Sequence, residues 1–511
     1  MIVELRFDAD RPREWMRRLA RRLDDGRTTI QIAWIRTQAP RPAGLQALFE
    51  LERMLLRNGR ACGADAISKE ACGNLPHQGC APDIVIDFTG GEPESAAKLH
   101  LRPLYDGAIG EDGALAAILA GDLPFIAIRD EVSGQILDAG KPSAEVADGL
   151  SGSLDTVMAR TATLLSAIVS GKPRPVPLKI DGQRHLHSKS PTAYVLSGIA
   201  RAIAKRIYHL CCYSPHWRVG WRHSDGAGVW RSKDLSGPSW NTIPSPVQRF
   251  YADPFAMTWK GRTFVFFEDL DHRVGKGIIS AIEFGATGPV GPVLPVLEEP
   301  WHLSYPFLIE HDDHLWMIPE STGHRDVALY RCIEFPNRWE RHATLLSGLE
   351  LADATIVRHQ GLHYLFGASR DDAGGYSDTL SIFHANDLLG PWIPFASNPV
   401  LLDRTSARPA GNFVTIDGRL WRPIQDCAEG YGCALKLAEI VELSPTSFSQ
   451  IVRHTIRPGP LWPGRKLHTL NRCGSLELID GTSIQPKMPG LGFARQASAS
   501  RSAMGVEATP V

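Results

Sequence analysis

This chain of 511 residues has no excess of either charge, no cysteines in paired spacing and no long apolar run. Its 55 Lys and Arg nearly balance 56 Asp and Glu, for a net charge of −1. It therefore has no global basic field to draw in nucleic acid. The nine cysteines are odd in number and thinly spread. Cys62, Cys72 and Cys80 lack CxxC spacing, and Cys211-Cys212 fall in a helical stretch. A disulfide scaffold or zinc ribbon is excluded on that pattern, and a reducing cytoplasm is the expected setting. No stretch of about 20 uncharged apolar residues occurs, so no transmembrane helix is expected. The opening residues Ile2–Phe7 read as a strand, so no signal peptide is expected. Asp269-Leu270-Asp271 has the spacing of a sugar-nucleotide DxD motif, but not its context at the end of a transferase strand.

What the chain does have is a repeat. Tyr251-Ala252-Asp253-Pro254-Phe255 is followed by a Gly turn and a second strand ending on Glu268. The pattern returns at Ser304-Tyr305-Pro306 with Glu320, at Ala352-Asp353-Ala354 with Leu362–Gly367, and at Ala407-Arg408-Pro409 with Gln425-Asp426. A fifth copy is Leu467-His468-Thr469 with Leu476–Gly481. Asp253, Tyr305, Asp353, Arg408 and His468 are separated by 52, 48, 55 and 60 residues by subtraction. A period near 50 in short alternating strands predicts a five-bladed β-propeller over 213–482. Asp253 to Glu268 and Tyr305 to Glu320 are both 15 residues apart, and the fourth copy runs two residues longer. A propeller must hide its last edge, so Trp217–Arg222 is expected to complete the fifth blade, 459–482.

A chain this long needs more than one core. Residues 1–170 alternate strands (Ile2–Phe7, Thr28–Ile35, Asp83–Phe88, Leu123–Ile128) with helices (Asp10–Leu23, Leu45–Leu56, Leu154–Ser170), which predicts a doubly wound, Rossmann-like α/β domain. Residues 171–190 are Pro-rich and basic and read as a linker. The helix at 192–212 carries Arg201, Lys205 and Arg206 on its polar side. Two readings of it stand: packing between domains, or peripheral contact with an anionic membrane. Residues 483–511 are expected to be disordered.

Two resemblances follow. Pro82–Asp87, Leu99–Gly107 and Ala114–Leu123 resemble the core of the formyltransferase family that includes methionyl-tRNA formyltransferase, and imply a formyltransferase-like scaffold. Lys98 stands where that family has Asn before His100, and its Leu-Leu-Pro segment is missing. Residues 217–481 resemble the N-terminal domain of plant glucosamine inositolphosphorylceramide transferases and its bacterial relatives. The carrying motifs are Tyr251–Phe255, His302–Phe307, Ile318–Ser321, Asp353–Thr355, Ser406–Gly411 and Arg422–Cys427. The glycosyltransferase domain of the plant enzymes has no counterpart in this sequence. The resemblance implies sugar chemistry or sugar recognition in glycan or glycolipid assembly, with a sugar or glycolipid headgroup as partner.

The propeller is similar in turn to family 43 glycoside hydrolases, where the innermost strand of each blade offers one side chain to a central pocket. That register brings Asp253, Tyr305, Asp353, Arg408 and His468 to the centre, with Glu268, Glu320, Gln425 and Asp426 ending the adjoining strands. The resemblance implies Asp253 as general base and Asp353 as an auxiliary carboxylate. Arg408 stands in the place of the general acid, and Glu320 could substitute if it faces the pocket. Arg408 would suit an anionic sugar. No metal or cofactor is read from the sequence. Alongside sugar transfer or binding stand a hydrolase reading, with Asp253 as base, and a formyl- or acyl-transfer reading for the N-terminal part. Single polar residues at strand starts also cap turns. Trp259, Trp316, Trp392 and Trp421 recur at blade positions and read as core. Asp371-Asp372 and Asp269/Asp271 read as solvated loop pairs.

Overall fold

The computed structural model describes residues 1–37, 44–57, 59–73, 81–91, 97–174, 190–226, 228–371 and 373–487. The N-terminal part is a seven-stranded sheet, with β1 (Ile2–Asp8), β2 (Thr29–Ile35), β3 (Ile84–Asp87), β4 (Leu99–Tyr105), β5 (Ala108–Ile109), β6 (Ile126–Asp130) and β7 (Ile136–Gly140). Its order is β2-β1-β3-β4-β6-β7, with β5 paired to β4. Strands β2, β1, β3 and β4 run parallel, with α1 and α2 on the connections from β1 to β2 and from β2 to β3. β6 is antiparallel to β4, and β7 is antiparallel to β6 because only five residues join that last pair. The expected parallel sheet is therefore mixed. Helices α1 (Glu14–Leu23), α2 (Leu45–Leu55), α3 (Gly110–Leu119) and α4 (Gly149–Val169) accompany it. α1 starts four residues later than expected, since Ala9 and Asp10 form a turn in which Asp8 accepts the Asp10 N–H and the Arg11 guanidinium. α4 starts five residues earlier than expected, because Glu52 accepts the N–H groups of Leu150 and Ser151, each at 2.8 Å, and caps it.

The rest of the chain folds into five four-stranded antiparallel blades, one of them with an extra two-residue strand. Blade one is Arg249–Trp259, Arg262–Asp271, Lys276–Gly285 and Gly288–Leu297. Blade two runs Ser304–His311 to Arg338–Ser347, blade three Leu351–His359 to Leu401–Leu402, and blade four Val414–Ile416 to Phe448–Ile456. The fifth takes its inner strands, Leu470–Cys473 and Leu476–Thr482, from the C-terminal side and its outer strands, Trp217–His223 and Asn241–Thr242, from the N-terminal side. Trp217–His223 pairs residue for residue with Leu476–Thr482, so the ring is closed as expected. The closure is clamped by buried Arg222, which donates to Glu477 at 2.8 Å, while Glu477 also accepts the Val229 N–H at 2.7 Å. Trp316 and Trp421 are buried and Trp259 and Trp392 pack on the core, as their recurrence suggested.

The two parts are joined covalently and by packing. Leu402 of blade three lies in the α/β core, and Lys141 exchanges two backbone hydrogen bonds with Leu402 and Arg404. Arg160 of α4 enters blade three and pairs with Asp378 and Asp371, so Asp371 is an anchor and not a solvated loop residue. Asp372 lies outside the described residues. Arg174, at the start of the expected linker, is buried on Asp138 at 2.7 Å. At the C-terminal side, Gln485–Pro486 pairs with Cys212–Tyr213, so part of the segment expected to be disordered, 483–487, is built into the fold. The remainder of that segment, 488–511, lies outside the described residues, as does most of the linker, 175–189.

Candidate functional site: a ring of carboxylates on the propeller axis

The inner strands of blades one, two and three each carry a bulge at the same repeat position. Pairing slips between Ala252 and Phe255, between Ser304 and Phe307, and between Ala352 and Thr355. Each slip holds a non-glycine residue in the left-handed region: Asp253 at φ 52°, Tyr305 at 43° and Asp353 at 55°. Such a conformation costs roughly 1–2 kcal/mol per residue. Bulges re-aim a side chain beside active sites, and strain repeated three times at one register position points to function. Blade four reaches the centre differently. Pro409 has no N–H to donate, and the inner segment is reduced to the bridge Pro409–Ile424 before Val414–Ile416. This interruption accounts for the longer spacing of the fourth repeat.

The five repeat residues do converge, and each has a defined partner. Asp253 accepts from Thr469 Oγ1 at 3.0 Å and lies 3.5 Å from His468 Nε2. His468 Nδ1 is 2.6 Å from Asp480 Oδ1, and the other Asp480 oxygen accepts the Asp253 N–H at 2.9 Å. Asp353 Oδ2 accepts from Arg408 Nε at 2.6 Å and Gln425 Nε2 at 2.9 Å. Glu320 Oε2 accepts the Asp353 N–H at 3.3 Å. Glu268 is buried, 3.3 Å from the half-exposed ring of His302. All are buried except Glu320, so solvent meets the ring at Glu320 and at His302 beside Glu268.

Two predicted contacts turn out otherwise. Asp426 alternates with Gln425 along its strand and faces away, 3.1 Å from Lys436 Nζ. Tyr305 is a clasp: its hydroxyl accepts the Gly411 N–H at 2.7 Å and bonds Thr355 Oγ1 at 2.9 Å, tying blades two, three and four together. Tyr305→Phe should cost about 1–3 kcal/mol by stranding the Gly411 N–H. Denaturant unfolding should show that loss, with ligand affinity per folded molecule unchanged.

Four residues escaped the sequence reading. Asp480 ends the second strand of its repeat as Glu268 and Glu320 do, a signal that was present. Trp217, on the closing strand, stacks on His468 at 3.9 Å and 11°. Tyr431 lies under the Arg408 guanidinium at 4.6 Å and meets His468 edge-on. Glu145 comes from the α/β part to within 3.9 Å of Arg408 and binds the Tyr376 N–H and the Ser377 hydroxyl. Only folding brings these last three together.

Burial, with Asp480 and Asp353 nearby, pushes Asp253 up to about 6 against the pull of His468. Glu320, only partly shielded from solvent, is pushed up to about 8 by desolvation and the neighbouring Asp353, opposed by Arg408. Glu268 is driven well above the usual carboxylate range by burial and then by Asp253 and Glu320. His468 rises despite its burial, because Asp480 and Asp253 flank it. Crowded carboxyls whose proton affinities are pushed apart are the raw material of acid–base chemistry. The donor atoms of Asp253, His468 and Asp480 also lie within 4.8 Å of one another, a spacing that could hold a cation, although His468 Nδ1 is spent on Asp480. Asp269 and Asp271 are engaged by Arg249, Ser280 and Arg273, which leaves no free DxD pair.

Residues 238–473 match the family model described as glucosamine inositolphosphorylceramide transferase 1, N-terminal. The propeller is similar to that N-terminal domain. Glucosamine inositolphosphorylceramide transferase 1 of Arabidopsis thaliana is 32% identical over 237 residues, covering 45% of this chain and 30% of the plant protein. The protein of the same name from Oryza sativa subsp. japonica is 30% identical over 249 residues, covering 46% and 33%. The chain thus spans about a third of the length of the curated relatives it matches. Among solved structures, a thermostable family-43 glycoside hydrolase aligns at TM-score 0.31 and 12% identity, over 42% of this chain and 78% of that one.

In the N-terminal part, His100 is fully buried within β4, 3.6 Å from Asp87. Asp87, though buried, is held below the usual range by His100, Thr89 and Arg102. His100 is thus an interior strand residue and not a loop residue.

Proposed function

We propose that this chain is a carbohydrate-active protein of glycolipid assembly, and that its propeller ring holds the sugar of the acceptor or product. The observation that carries the reading is the convergence of the strained Asp253 and Asp353 with Glu320 and His468 beside Trp217 and Tyr431. Its kinship with the glucosamine inositolphosphorylceramide transferase domain supports a glycolipid, and the plant relatives' name suggests a glucosamine- or inositol-bearing headgroup. Arg408 is already committed to Asp353, and the centre gathers five carboxyl groups (Asp253, Glu268, Glu320, Asp353, Asp480) against Arg408 and His468. A neutral or amino sugar suits that balance better than the anionic sugar expected from Arg408. The test is a panel of sugars, glycolipid headgroups and nucleotide sugars offered to purified protein, with thermal shift for binding and mass spectrometry for turnover. Failure of every sugar to shift the transition would overturn the reading.

A hydrolytic step is favoured by one further observation, the unequal rise of two carboxyls, Asp253 to about 6 and Glu320 to about 8. The Asp253 carboxylate would accept a proton from water while the Glu320 acid gives one to the leaving oxygen. Activity should then rise through about 6 as Asp253 ionises and fall through about 8 as Glu320 ionises. Glu320→Gln should remove the alkaline limb and lower the rate by about 10²–10⁴. A pH–rate profile with no limb near either value would reject the pair. Formyl or acyl transfer by the N-terminal part finds little support, since His100 is enclosed with Asp87.

A further inference from the structure

Helix α5 (Pro191–Cys211) is held to the rest of the molecule mainly at its two ends. Val195 is its one buried side chain, Tyr194 packs partly on the α/β core, and its last residues run into the strand Cys212–Tyr213. The expected packing between domains is therefore confined to its two ends. Leu196, Ile203, Ile207 and Leu210 follow at steps of 7, 4 and 3 by subtraction, which sets them in one stripe. They are 61%, 53%, 56% and 76% exposed. Across 191–211 there are Arg201, Lys205 and Arg206 but no Asp or Glu. The propeller adds cations beside the last turns: Lys466 feels the charge of Lys205, and Lys487 Nζ donates to His209 O at 2.6 Å.

We propose that α5 docks this protein on an anionic lipid surface, with its apolar stripe in the interface and its cations at the headgroups. An exposed apolar face flanked by cations is the pattern of helices that lie in the membrane plane. At 1.5 Å per residue the helix would extend about 30 Å along the surface. Among the described residues no helix is long and apolar enough to cross a bilayer. A second copy of α5 is the poorer occupant, because pairing two such helices sets cation against cation with no acid to match. Lys466 lies over the rings of Trp217 and Tyr431, so docking would bring the ring's surroundings close to the bilayer. That last consequence rests on the sugar reading; the docking does not.

The test is cosedimentation of the full chain with phosphatidylcholine vesicles, with and without phosphatidylserine. Wild type should pellet only with phosphatidylserine and be released as salt rises. Ile203→Asp with Ile207→Asp, and separately Arg201→Glu with Lys205→Glu, should each lower the bound fraction about tenfold or more. Because these side chains are exposed, the thermal transition should not move. Asp253→Asn should bind vesicles as wild type does, which separates docking from the sugar site. Wild type left in the supernatant, equal binding to neutral vesicles, or variants that bind as well as wild type would overturn the proposal. So would light scattering that shows the Ile variants converting a dimer to a monomer, since the stripe would then belong to a second copy.

Discussion

Asp253→Asn should lower turnover by about 10²–10⁴ while leaving the fold intact or more stable. Asparagine keeps the shape and the oxygen that accepts from Thr469, and it removes the charge. The stability sign follows from proton binding. Asp253 has a folded value of about 6 against an ordinary 3.8, so between those values the folded protein holds more proton than the unfolded chain. Stability contributed by the protonated carboxyl is complete below the ordinary value and is lost as pH rises through about 6. At pH 7 the carboxylate is a cost that asparagine does not bear. The variant's melting temperature should match or exceed that of wild type at pH 7 and lose this advantage toward pH 4. A purely structural Asp253 would give the reverse, with melting falling at neutral pH and no selective loss of ligand binding.

Arg160→Ala should destabilise the protein by about 3–5 kcal/mol, because it strands the fully buried carboxylate of Asp378. At about 2–4 °C per kcal/mol the melting temperature should fall by about 6–20 °C. The guanidinium donates to Asp378 at 2.6 and 3.1 Å and to Gly375 O at 2.7 Å, and it also meets Asp371. It fits because Gly374 has no side chain where the guanidinium lies. Arg160→Met with Asp378→Asn should recover part of the loss, since the charge is then removed with its partner. Differential scanning calorimetry checks both, and a shift under about 2 °C for Arg160→Ala would show that the two parts do not rely on this pair.

The propeller was legible because its signal is carried by spacing. The same distance separates Asp253 from Glu268 and Tyr305 from Glu320, and the edge problem of a ring predicts a closing strand from the other end of the repeat region. The bulges were not legible. An Asp-Pro or Tyr-Pro pair reads equally as a turn or as a strand residue, and the left-handed backbone becomes clear only when the neighbouring strand fixes the register. Tyr305 illustrates the consequence: its place in the ring was correct, but its hydroxyl is spent on Gly411 and Thr355. The role of Arg408 changed for a similar reason, since its pairing with Asp353 is set by how adjacent blades face each other. In the α/β part, Ile136–Gly140 was missed because a five-residue strand beside a glycine turn carries almost no periodicity. Glu145 and Trp217 reach the ring from distant segments, and no local pattern announces such contacts.

The most direct measurement of the central claim is a crystal structure of the full chain soaked with the best-binding neutral or amino sugar. The account predicts electron density for the sugar on the propeller axis, within hydrogen-bond reach of Asp253 and Glu320 and against Trp217 or Tyr431. Density for the sugar elsewhere, with the ring unchanged and its internal hydrogen bonds intact, would contradict it.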